Sequence, residues 1–474
     1  MIIRIFGSGY VGLTTGLCFS AFDHEIQFVE IDPKKIAAIN AGQLPIFEKG
    51  LDQYLTRGVK RKTITAKAHT THFDKPAQIY IISVGTPALA NGKSDLKALN
   101  TVVDSIAETL NHDTLIIVKS TVPVGSTRKI EETINKNLKS RNLKLKVSVV
   151  FSPEFLKEGV ALKDCMNPDR IIIGASENLH EHHKSKINEL FRPFNLKSPK
   201  MIWMSYESAE LTKYAANGML ATKISFFNEL SKLSEKFKAN INDVRQGVGS
   251  DSRIGHDFIS AGCGFGGSCF PKDLSALCQM AEEQDVSSHI YRAILEVNKQ
   301  QKKILGKKVK DLLGLNLKQK TIAIWGLAFK ANTDDIRDAP SLDLCEDLLK
   351  QGATLHLYDP MAQENYKKNF PESKKVKYFK SQYEALKNSD CLVICTEWQE
   401  FLFPDFSLIA EHIKSKTIID GRNLYFAFNL DQYGLNYLSI GHNEQKNSNL
   451  EFKVAETKLP SLSSKVCTEN ELRA

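Results

Sequence analysis

A glycine-rich turn between two short strands lies in the first thirty residues, and it limits the folds open to this chain more than any other feature. Residues 2–6 (IIRIF) predict a strand, GSGYVG (7–12) follows at once, and a helical stretch runs to about residue 21. Residues 25–30 (EIQFVE) predict a second strand that ends in an acid. This succession is typical of the first unit of a doubly wound parallel sheet. We therefore expect an α/β fold.

The turn and the acid together predict a dinucleotide site. Gly7, Gly9 and Gly12 let the backbone approach a pyrophosphate, and the helix N-terminus adds N–H donors. Glu30 stands where ribose hydroxyls bind, and its charge favours NAD over NADP because it would repel a 2′-phosphate. Two lysines that closely follow Glu30 leave NADP binding as an alternative. The simpler alternative is a tight turn that binds no ligand.

Three further strands are predicted at the spacing of an α/β sheet, at 78–84, 115–119 and 147–151. Ligands of open parallel sheets bind outside the carboxyl ends of the strands. A polar residue therefore becomes a candidate site residue where it follows such an end. These candidates are Thr86, Thr121 and Glu154.

The pattern changes to a long helix between about residues 205 and 240. Lys213 and Asn217 are four residues apart in it, so they share one helix face. A lysine on a helix is most often a solvated charge, and that interpretation stands until a second signal opposes it.

A second doubly wound unit begins near residue 320. Residues 321–325 and 354–358 predict strands, and Asp359 repeats the pattern of a strand ending in an acid. The glycine fingerprint is missing, so this unit is predicted to bind a nucleotide without being a dinucleotide site. Further strands are predicted at 391–396 and 417–420.

The chain is thus predicted to hold two Rossmann-like doubly wound parallel-sheet domains joined by a long central helical region. After residue 441 it turns polar and aperiodic. The predicted parts are a dinucleotide-binding domain (1–200), a central helical region (201–300), a second nucleotide-binding domain (301–441) and a loosely ordered tail (442–474).

Composition excludes several classes of protein. The 474 residues contain no apolar run near the ~20 that a membrane helix needs and no signal peptide, so we expect a cytoplasmic protein. Basic residues are dispersed despite the net charge of +8, and no nucleic-acid motif appears. Nine thinly spread cysteines do not suggest a disulfide framework. Outside the motif at residues 264–273, only Cys391 and Cys395 lie close together in the sequence. Core packing is favoured for these two because no second pair completes a zinc site.

The segment GFGGSCFPKD (264–273) carries the strongest chemical signal. Pro271 suits the first turn of a helix, so Cys269 is predicted at a helix N-terminus, where the dipole lowers the pKa of a thiol. Lys272 would add to that effect, and the glycines would let a ligand come close. A cysteine that only fills space is the alternative. A thiolate by itself leaves protease, acyl transferase and dehydrogenase open.

The dinucleotide unit narrows this choice. A nicotinamide site combined with a nucleophilic cysteine can oxidise an aldehyde through a thiohemiacetal to a thioester, which water then hydrolyses. The two features together predict a four-electron oxidation of a primary alcohol to a carboxylate with two NAD⁺.

Eight separated motifs resemble the UDP-glucose/GDP-mannose dehydrogenase family. The resemblance covers roughly residues 1–440, and the ordered series is highly specific although each motif alone is modest. The motifs are GSGYVG (7–12), STVPVGST (120–127), SPEFLKEG (152–159), ELTKYAANGMLATKISFFNEL (210–230), GSDSRIG (249–255), GFGGSCFPKD (264–273), GLAFKANTDDIRDAP (326–340) and DGRN (420–423).

The resemblance implies a role for each matching residue. Cys269 would be the nucleophile, Lys213 would stabilise the oxyanion with help from Asn217, and Glu154 would be the general base for thioester hydrolysis. The residues that would position and activate water are Asp273 and Thr121. The NAD-binding residues would be Gly7, Gly9, Tyr10, Val11, Gly12, Glu30, Lys35, Thr86, Thr121, Glu158 and Arg337. The substrate-binding residues would be Glu154, Phe155, Leu156, Lys213, Asn217, Arg253, Phe265, Gly266, Lys330 and Arg422.

The resemblance also implies a partner and a substrate. Arg253 resembles an arginine that reaches the site of a neighbouring subunit, which implies a homodimer formed through the central region 201–300. The resemblance likewise implies that residues 1–200 bind NAD and residues 301–441 bind the UDP-sugar. Ser268 before the cysteine favours the UDP-glucose branch, whose product UDP-glucuronate commonly feeds polysaccharide biosynthesis. The alternatives are a sister enzyme for GDP-mannose or a UDP-N-acetylhexosamine, a non-catalytic nucleotide-sugar sensor, and a nucleic-acid-binding protein. The sensor is disfavoured because Cys269 and Lys213 are both present.

Overall fold

The computed structural model describes residues 1–442 except 70–72, 74, 197 and 198. These residues form two sheets with helices around them and a helical region between the two sheets in sequence. The predicted loosely ordered tail lies, apart from His442, outside the described residues. Within them, no helix is both long and apolar enough to cross a membrane. The domain boundaries near residues 200, 300 and 441 stay predictions.

The first sheet has the doubly wound topology that the glycine turn predicts. Its strands within the described ranges are β1 (Ile2–Phe6), β2 (Glu25–Glu30), β3 (Ile64–Ala68), β4 (Ile79–Ile82), β5 (Thr114–Val118), β6 (Val147–Phe151), β7 (Ile171–Ala175) and β8 (Met201–Met204). They lie in the order β3-β2-β1-β4-β5-β6-β7-β8, so the winding reverses between β1 and β4. Such a reversal is where ligands of these sheets bind.

One strand pair departs from the parallel pattern. β6 and β7 run antiparallel, with Phe151 opposite Gly174. The helix between them, α6 (Ala161–Met166), has six residues and spans about 9 Å, whereas a five-residue strand spans about 17 Å. The chain is therefore not carried back along the sheet before β7 begins.

Helices cover both faces of this sheet. They are α1 (Tyr10–Ser20), α2 (Pro33–Asn40), α3 (Leu51–Lys60), α4 (Lys97–Thr109), α5 (Ser126–Ser140), the α6 already given and α7 (Glu181–Phe191). Ile5 and Phe6 belong to two different apolar clusters because neighbouring strand residues point to opposite faces. Burial on both faces explains why these strands are nearly all apolar.

The central region is built on one long helix, α8 (Tyr206–Phe237), of about 48 Å. Ser205 caps its start by accepting a hydrogen bond from the Ser208 backbone, and Lys238 ends it in a left-handed conformation. The helix predicted at 205–240 is thus confirmed. Four helices follow it: α9 (Ile241–Gly249), α10 (Phe270–Glu283), α11 (His289–Gln301) and α12 (Ile304–Leu313).

The second sheet repeats the order of the first six strands. Its described strands are β9 (Thr321–Trp325), β10 (Thr354–Tyr358), β11 (Val376–Tyr378), β12 (Cys391–Ile394), β13 (Thr417–Asp420) and β14 (Asn436–Leu438). All are parallel, in the order β11-β10-β9-β12-β13-β14. Its helices are α13 (Pro340–Lys350), α14 (Gln363–Tyr366), α15 (Gln382–Leu386) and α16 (Phe406–His412). Cys391 and Cys395 are buried in its core as predicted, and the eight described cysteines are free thiols.

Candidate active site

The three glycines of the turn between β1 and α1 have two different roles. Gly7 has a φ of +93°, and a Cβ on Gly12 would lie 2.0 Å from the Gly7 carbonyl oxygen, so both serve the shape of the turn. A Cβ on Gly9 would meet no protein atom within 4 Å. Gly9 is also the N-cap of α1, where backbone donors attract anions. The space in front of Gly9 therefore suits a pyrophosphate, and the site fits NAD.

Glu30 lies at the end of β2 and bonds back to the turn. Its carboxylate accepts from the backbone (3.0 Å) and hydroxyl (2.5 Å) of Ser8, and from the backbones of Ile31 (2.8 Å) and Asp32 (3.1 Å). Burial would raise the pKa of Glu30, but these hydrogen bonds outweigh it and lower the pKa. The contact with Ser8 was not foreseen from the sequence.

Tyr10 connects the first turn of α1 to the loop that follows β6. Its hydroxyl is hydrogen-bonded to Glu48, and the Gly159 backbone donates to Glu48 (2.7 Å) and to the Tyr10 oxygen (2.9 Å). Glu48 is buried, and no sequence motif singled it out. The cofactor turn and the loop 152–160 are thereby held together.

The other predicted cofactor residues lie around the same edge of the sheet. Val11 follows Tyr10 in α1, and Lys35 lies on α2. The Thr86 hydroxyl donates to the Thr121 carbonyl at 2.6 Å, which joins the ends of β4 and β5. Thr121 thus lies on the cofactor side of the site.

Cys269 is the N-cap of α10, with Pro271 in the first turn, as the sequence predicts. The expected lowering of its pKa is wrong. Burial, and after it the carboxylate of Glu154, raise the pKa of the Cys269 thiol, and Lys213 offsets this only in part. Lys272 gives Cys269 no such help, because its ammonium binds Asp273 at 2.5 Å.

Lys213 and Glu154 form a buried ion pair beside Cys269. The Lys213 ammonium donates to the Glu154 side chain at 2.9 Å and to its carbonyl at 2.7 Å, and the two side chains are 3% and 9% exposed. Burial would lower the pKa of Lys213, but Glu154, Cys269 and Asp273 together raise it. Burial would raise the pKa of Glu154, and Lys213 lowers it instead. Both groups are therefore charged at neutral pH, so Lys213 is not a solvated surface lysine.

Asn217 reaches the segment that carries the cysteine. Its amide nitrogen donates to Asp273 at 2.6 Å, and Asp273 is 1% exposed. Lys213 and Asn217 therefore face the site together from α8, as their spacing predicts. Tertiary packing brings four of the predicted catalytic residues, Cys269, Lys213, Glu154 and Asp273, into one electrostatic cluster.

Phe155 and Leu156 continue the loop beyond Glu154. The Phe155 ring lies 3.8 Å from the Arg170 guanidinium and 5.3 Å from the Lys213 ammonium. The Leu156 backbone donates to the Glu154 carboxylate at 2.6 Å. These contacts orient the Glu154 side chain.

The glycines before Cys269 pack against the second unit. A Cβ on Gly266 would lie 2.4 Å from the Asp338 carbonyl, and one on Gly267 would lie 2.8 Å from the Phe329 ring. Phe265 is held by two hydrogen bonds to Asn298, at 2.8 and 3.0 Å. The expectation that these glycines make room for a ligand needs correction, because their missing side chains make room for the loop 326–339.

A polar cluster joins the loop 152–160 to the loop 326–339. The Thr333 hydroxyl donates to Glu158 at 3.0 Å, and Arg337 contacts Glu158 (3.5 Å) and Asp335 (2.6 Å). Burial, and then Asp335, raise the pKa of Glu158 to about 7. Glu158 and Arg337 are thus brought together.

The remaining predicted substrate residues differ in their surroundings. Lys330 lies 5.5 Å from the Phe329 ring, and burial lowers its pKa. Arg422 donates to the carbonyls of Cys395 (2.8 Å) and Phe329 (3.1 Å), so part of its guanidinium is used internally. Arg253 is exposed and paired with Asp251.

Comparison with known proteins gives the same picture. Models of the UDP-glucose/GDP-mannose dehydrogenase family match residues 1–195 (NAD binding domain), 207–300 (central domain) and 323–427 (UDP binding domain). The chain is 39% identical to UDP-glucose 6-dehydrogenase of Pseudomonas aeruginosa, covering 93% of this chain and 97% of the relative. It is 38% identical to UDP-glucose 6-dehydrogenase of Rhizobium meliloti, covering 93% and 99%.

Solved structures agree with the fold. A UDP-glucose dehydrogenase from Pyrobaculum islandicum superimposes with a TM-score of 0.82 at 29% identity, covering 93% of this chain and 98% of that one. A UDP-D-ManNAc dehydrogenase from Pyrococcus horikoshii superimposes with a TM-score of 0.80 at 24% identity, covering 94% and 100%.

Proposed function

The chain belongs to the UDP-glucose/GDP-mannose dehydrogenase family, and we propose from this premise that it oxidises the C6 alcohol of UDP-glucose to UDP-glucuronate with two NAD⁺. One structural observation carries the proposal. A buried, charged pair of Lys213 and Glu154 faces a cysteine at a helix N-terminus, in a chain whose first unit carries a dinucleotide turn. A single oxidation of an alcohol would need no such cysteine.

The residues of the first unit would hold NAD at the carboxyl edge of the sheet. The backbone at Gly9 and the start of α1 would receive the pyrophosphate, and Glu30 the ribose. Bound there, NAD⁺ supplies the hydride acceptor for both oxidations. The Tyr10–Glu48 contact keeps the loop 152–160 against this turn.

Cys269 would form the covalent link to the substrate. Its sulfur adds to the C6 carbon of the aldehyde to give a thiohemiacetal, and its proton must leave to a base because the pKa of this thiol is raised. The ionised Glu154 is the carboxylate that faces it. Lys213 stabilises the oxyanion that develops on C6, since its raised pKa keeps it charged.

The thiohemiacetal would become the thioester by loss of the C6 hydride, which NAD⁺ would accept, and of its hydroxyl proton. Hydrolysis of the thioester would use the same cluster. Glu154 takes a proton from the attacking water, and the C–S bond breaks to release the carboxylate and restore the thiol. Asp273 and Thr121 would position that water, and Asn217 holds Asp273 through the 2.6 Å contact.

The second unit would bind the nucleotide-sugar. Lys330 interacts electrostatically with Glu158 of the first unit, and Arg422 donates to the Phe329 carbonyl beside Lys330, so the two basic side chains would suit a diphosphate. Gly266, Phe265 and Arg337 lie on the same junction. GDP-mannose or a UDP-N-acetylhexosamine would keep this mechanism with another sugar.

The test is a count of NADH per sugar, measured by NADH absorbance with UDP-glucose, UDP-N-acetylglucosamine, UDP-N-acetylmannosamine and GDP-mannose. Two NADH per UDP-glucose and none with the others is the expected result. One NADH per sugar would remove Cys269 from the mechanism, and turnover with a different sugar would change the substrate alone.

Cys269→Ala should lower acid formation about 10³-fold or more, while Cys278→Ala, a buried cysteine on the same helix, should leave it unchanged.

We propose that the active form is a homodimer built on α8. Exposed apolar side chains lie within an arc of about 80° on this helix, at about 100° per residue, opposite Lys213 and Asn217. They are Leu211, Met219, Phe226, Leu233 and Phe237. The Lys223 ammonium donates to the Ile254 carbonyl at 2.9 Å, which places the loop carrying Arg253 beside this stripe. A second copy packed on it would receive Arg253 near its own site.

Light scattering during gel filtration tests the dimer. Phe226→Glu should give a monomer with weakened substrate binding, and Lys232→Glu, at an exposed position of the same helix about 60° outside the arc, should stay dimeric. A wild-type monomer that turns over normally would contradict both the dimer and the role of Arg253. A cytoplasmic location stays a prediction.

A further inference from the structure

Two cysteines of the first unit meet where α1 packs against α6. Cys18 on α1 is completely buried, and Cys165 on α6 is partly exposed. The Cys18 thiol is hydrogen-bonded to Cys165, and that bond, followed by burial, raises the pKa of Cys18. Neither residue belongs to the cluster around Cys269.

A small cavity gives access to Cys165. It has a volume of about 100 Å³, and Thr15, Phe19, Lys119, Glu154 and Cys165 lie on its wall. A molecule the size of water or hydrogen peroxide fits in such a space.

Lys119 is the basic side chain beside Cys165 on the cavity wall. Its ammonium is buried and makes a 3.0 Å hydrogen bond to the Ser152 carbonyl. Burial lowers the pKa of Lys119, while Cys165 and then Glu154 act in the opposite direction. Cationic neighbours are the surroundings in which cysteine sulfurs react with oxidants. The buried cysteines Cys345, Cys391 and Cys395 lie in the core of the second unit, where burial raises their pKa values.

We propose that Cys18 and Cys165 form a reversible disulfide when a peroxide enters this cavity. The Cys165 sulfur attacks one peroxide oxygen, the O–O bond breaks, and Cys165 becomes a sulfenic acid as the first water leaves. The Cys18 thiol then attacks that sulfur, the S–O bond breaks, and the second water leaves. The two thiols lose two electrons and two protons, which reduce one hydrogen peroxide to two waters.

The disulfide would connect two elements that carry site residues. α1 begins at the cofactor turn, and α6 follows the loop that holds Glu154 and Glu158. The modification site rests on the contacts of Cys18, Cys165 and Lys119, and it stands whether or not UDP-glucose is the substrate.

Peptide mapping of the native wild-type chain tests the proposal. The reduced protein is treated with dilute hydrogen peroxide, free thiols are alkylated, and trypsin is added without reductant. Cys18 falls in the fragment 5–34 and Cys165 in 164–170, each with no other cysteine. We expect a covalent pair of these fragments in most chains, reversed by dithiothreitol. Cys278→Ala should keep the pair, and Cys165→Ala should lose it.

A second variant separates the two steps. Cys18→Ser should leave a sulfenic acid on Cys165 that dimedone traps, because the second thiol is missing. Fragment 254–272 contains Cys269 and shows that oxidant reached the protein. Oxidation of that fragment while 5–34 and 164–170 stay reduced would overturn the proposal, as would a cross-link that forms only in denatured protein.

Discussion

The two sheets of this chain share one strand order but use the turn after their first strand in opposite ways. In the first unit, α1 begins at Tyr10, so the helix N-terminus lies at the turn. In the second unit, β9 ends at Trp325 and α13 begins only at Pro340. The intervening loop 326–339 reaches back to the first unit instead. The same topology therefore gives a dinucleotide cradle in one unit and an inter-unit contact in the other.

The acids at the ends of β2 and β10 show the same contrast. Asp359 is 1% exposed and saturated by internal donors, whereas Glu30 is 7% exposed. The donors to Asp359 are the backbones of Leu327, Ala328, Met361 and Ala362 and the indole of Trp398. Glu30 accepts from one neighbouring turn residue and from its own loop. An acid after a strand thus indicates a turn anchor as readily as a ribose site.

Replacing a turn glycine by valine should show the largest difference between the two units. Gly326 has a φ of +90° and its Cβ would lie 2.5 Å from Thr396, so Gly326→Val should cost more than about 4 kcal/mol and prevent folding. Gly9→Val should leave the melting temperature nearly unchanged and lower kcat/KM for NAD⁺ about 100-fold or more, because the side chain fills the pyrophosphate space. Thermal unfolding and NAD⁺ kinetics measure both. If the Gly326→Val chain folds well, the proposed difference between the two turns is wrong.

Replacing the two acids should give the next largest difference. Asp359→Ala leaves buried donors unpaired and should lower the free energy of unfolding by about 3 kcal/mol. Glu30→Ala should cost about 1 kcal/mol and raise KM for NAD⁺ more than KM for the sugar. Urea unfolding and steady-state kinetics distinguish them, and Asp359→Asn is the matched variant that keeps most of the shape. Equal stability losses would mean that Glu30 is also an anchor.

Removal of Lys330 should weaken the second unit's ligand only. Lys330→Ala should raise KM for UDP-glucose about tenfold, near 1.4 kcal/mol, and leave KM for NAD⁺ unchanged, since a phosphate contact is lost. Lys374→Ala, an exposed lysine of the same unit, should change neither constant. Parallel increases in both constants would place Lys330 outside the nucleotide-sugar site.

The contact between the units should respond to pH through Glu158. Its folded pKa is raised from 4.5 to about 7, so ionisation opposes folding. The loss of stability caused by this ionisation is absent below pH 4.5, grows as the pH rises to about 7 and is complete above it. Glu158→Gln should therefore be more stable than wild type by about 1–3 kcal/mol above neutral pH, with the gap closing toward acid. Urea unfolding across pH measures it, with the exposed Glu372→Gln as control. If the difference in free energy of unfolding between Glu158→Gln and wild type is constant with pH, packing and not ionisation causes it.

Local pattern was enough to predict much of this molecule. The strands at 2–6, 25–30, 147–151, 321–325 and 354–358 and the start of α10 agree with the structure because period, turn residues and Pro271 act within a few residues. The antiparallel β7 was missed, since strand direction depends on where α6 lets the chain turn. Glu48 was missed because its partners, Tyr10 and Gly159, are far away in sequence.

The sequence by itself determined the kind of chemistry: a dinucleotide turn, a cysteine at a helix start and a lysine and amide on one helix face. Tertiary structure alone decided the charges of these groups. Burial, and after it Glu154 and Asp273, raise the pKa of Cys269, while Glu154, Cys269 and Asp273 raise the pKa of Lys213 and keep it charged. Backbone conformation depends mainly on neighbours along the chain, whereas desolvation and Coulomb interactions depend on neighbours in space, which only folding brings together.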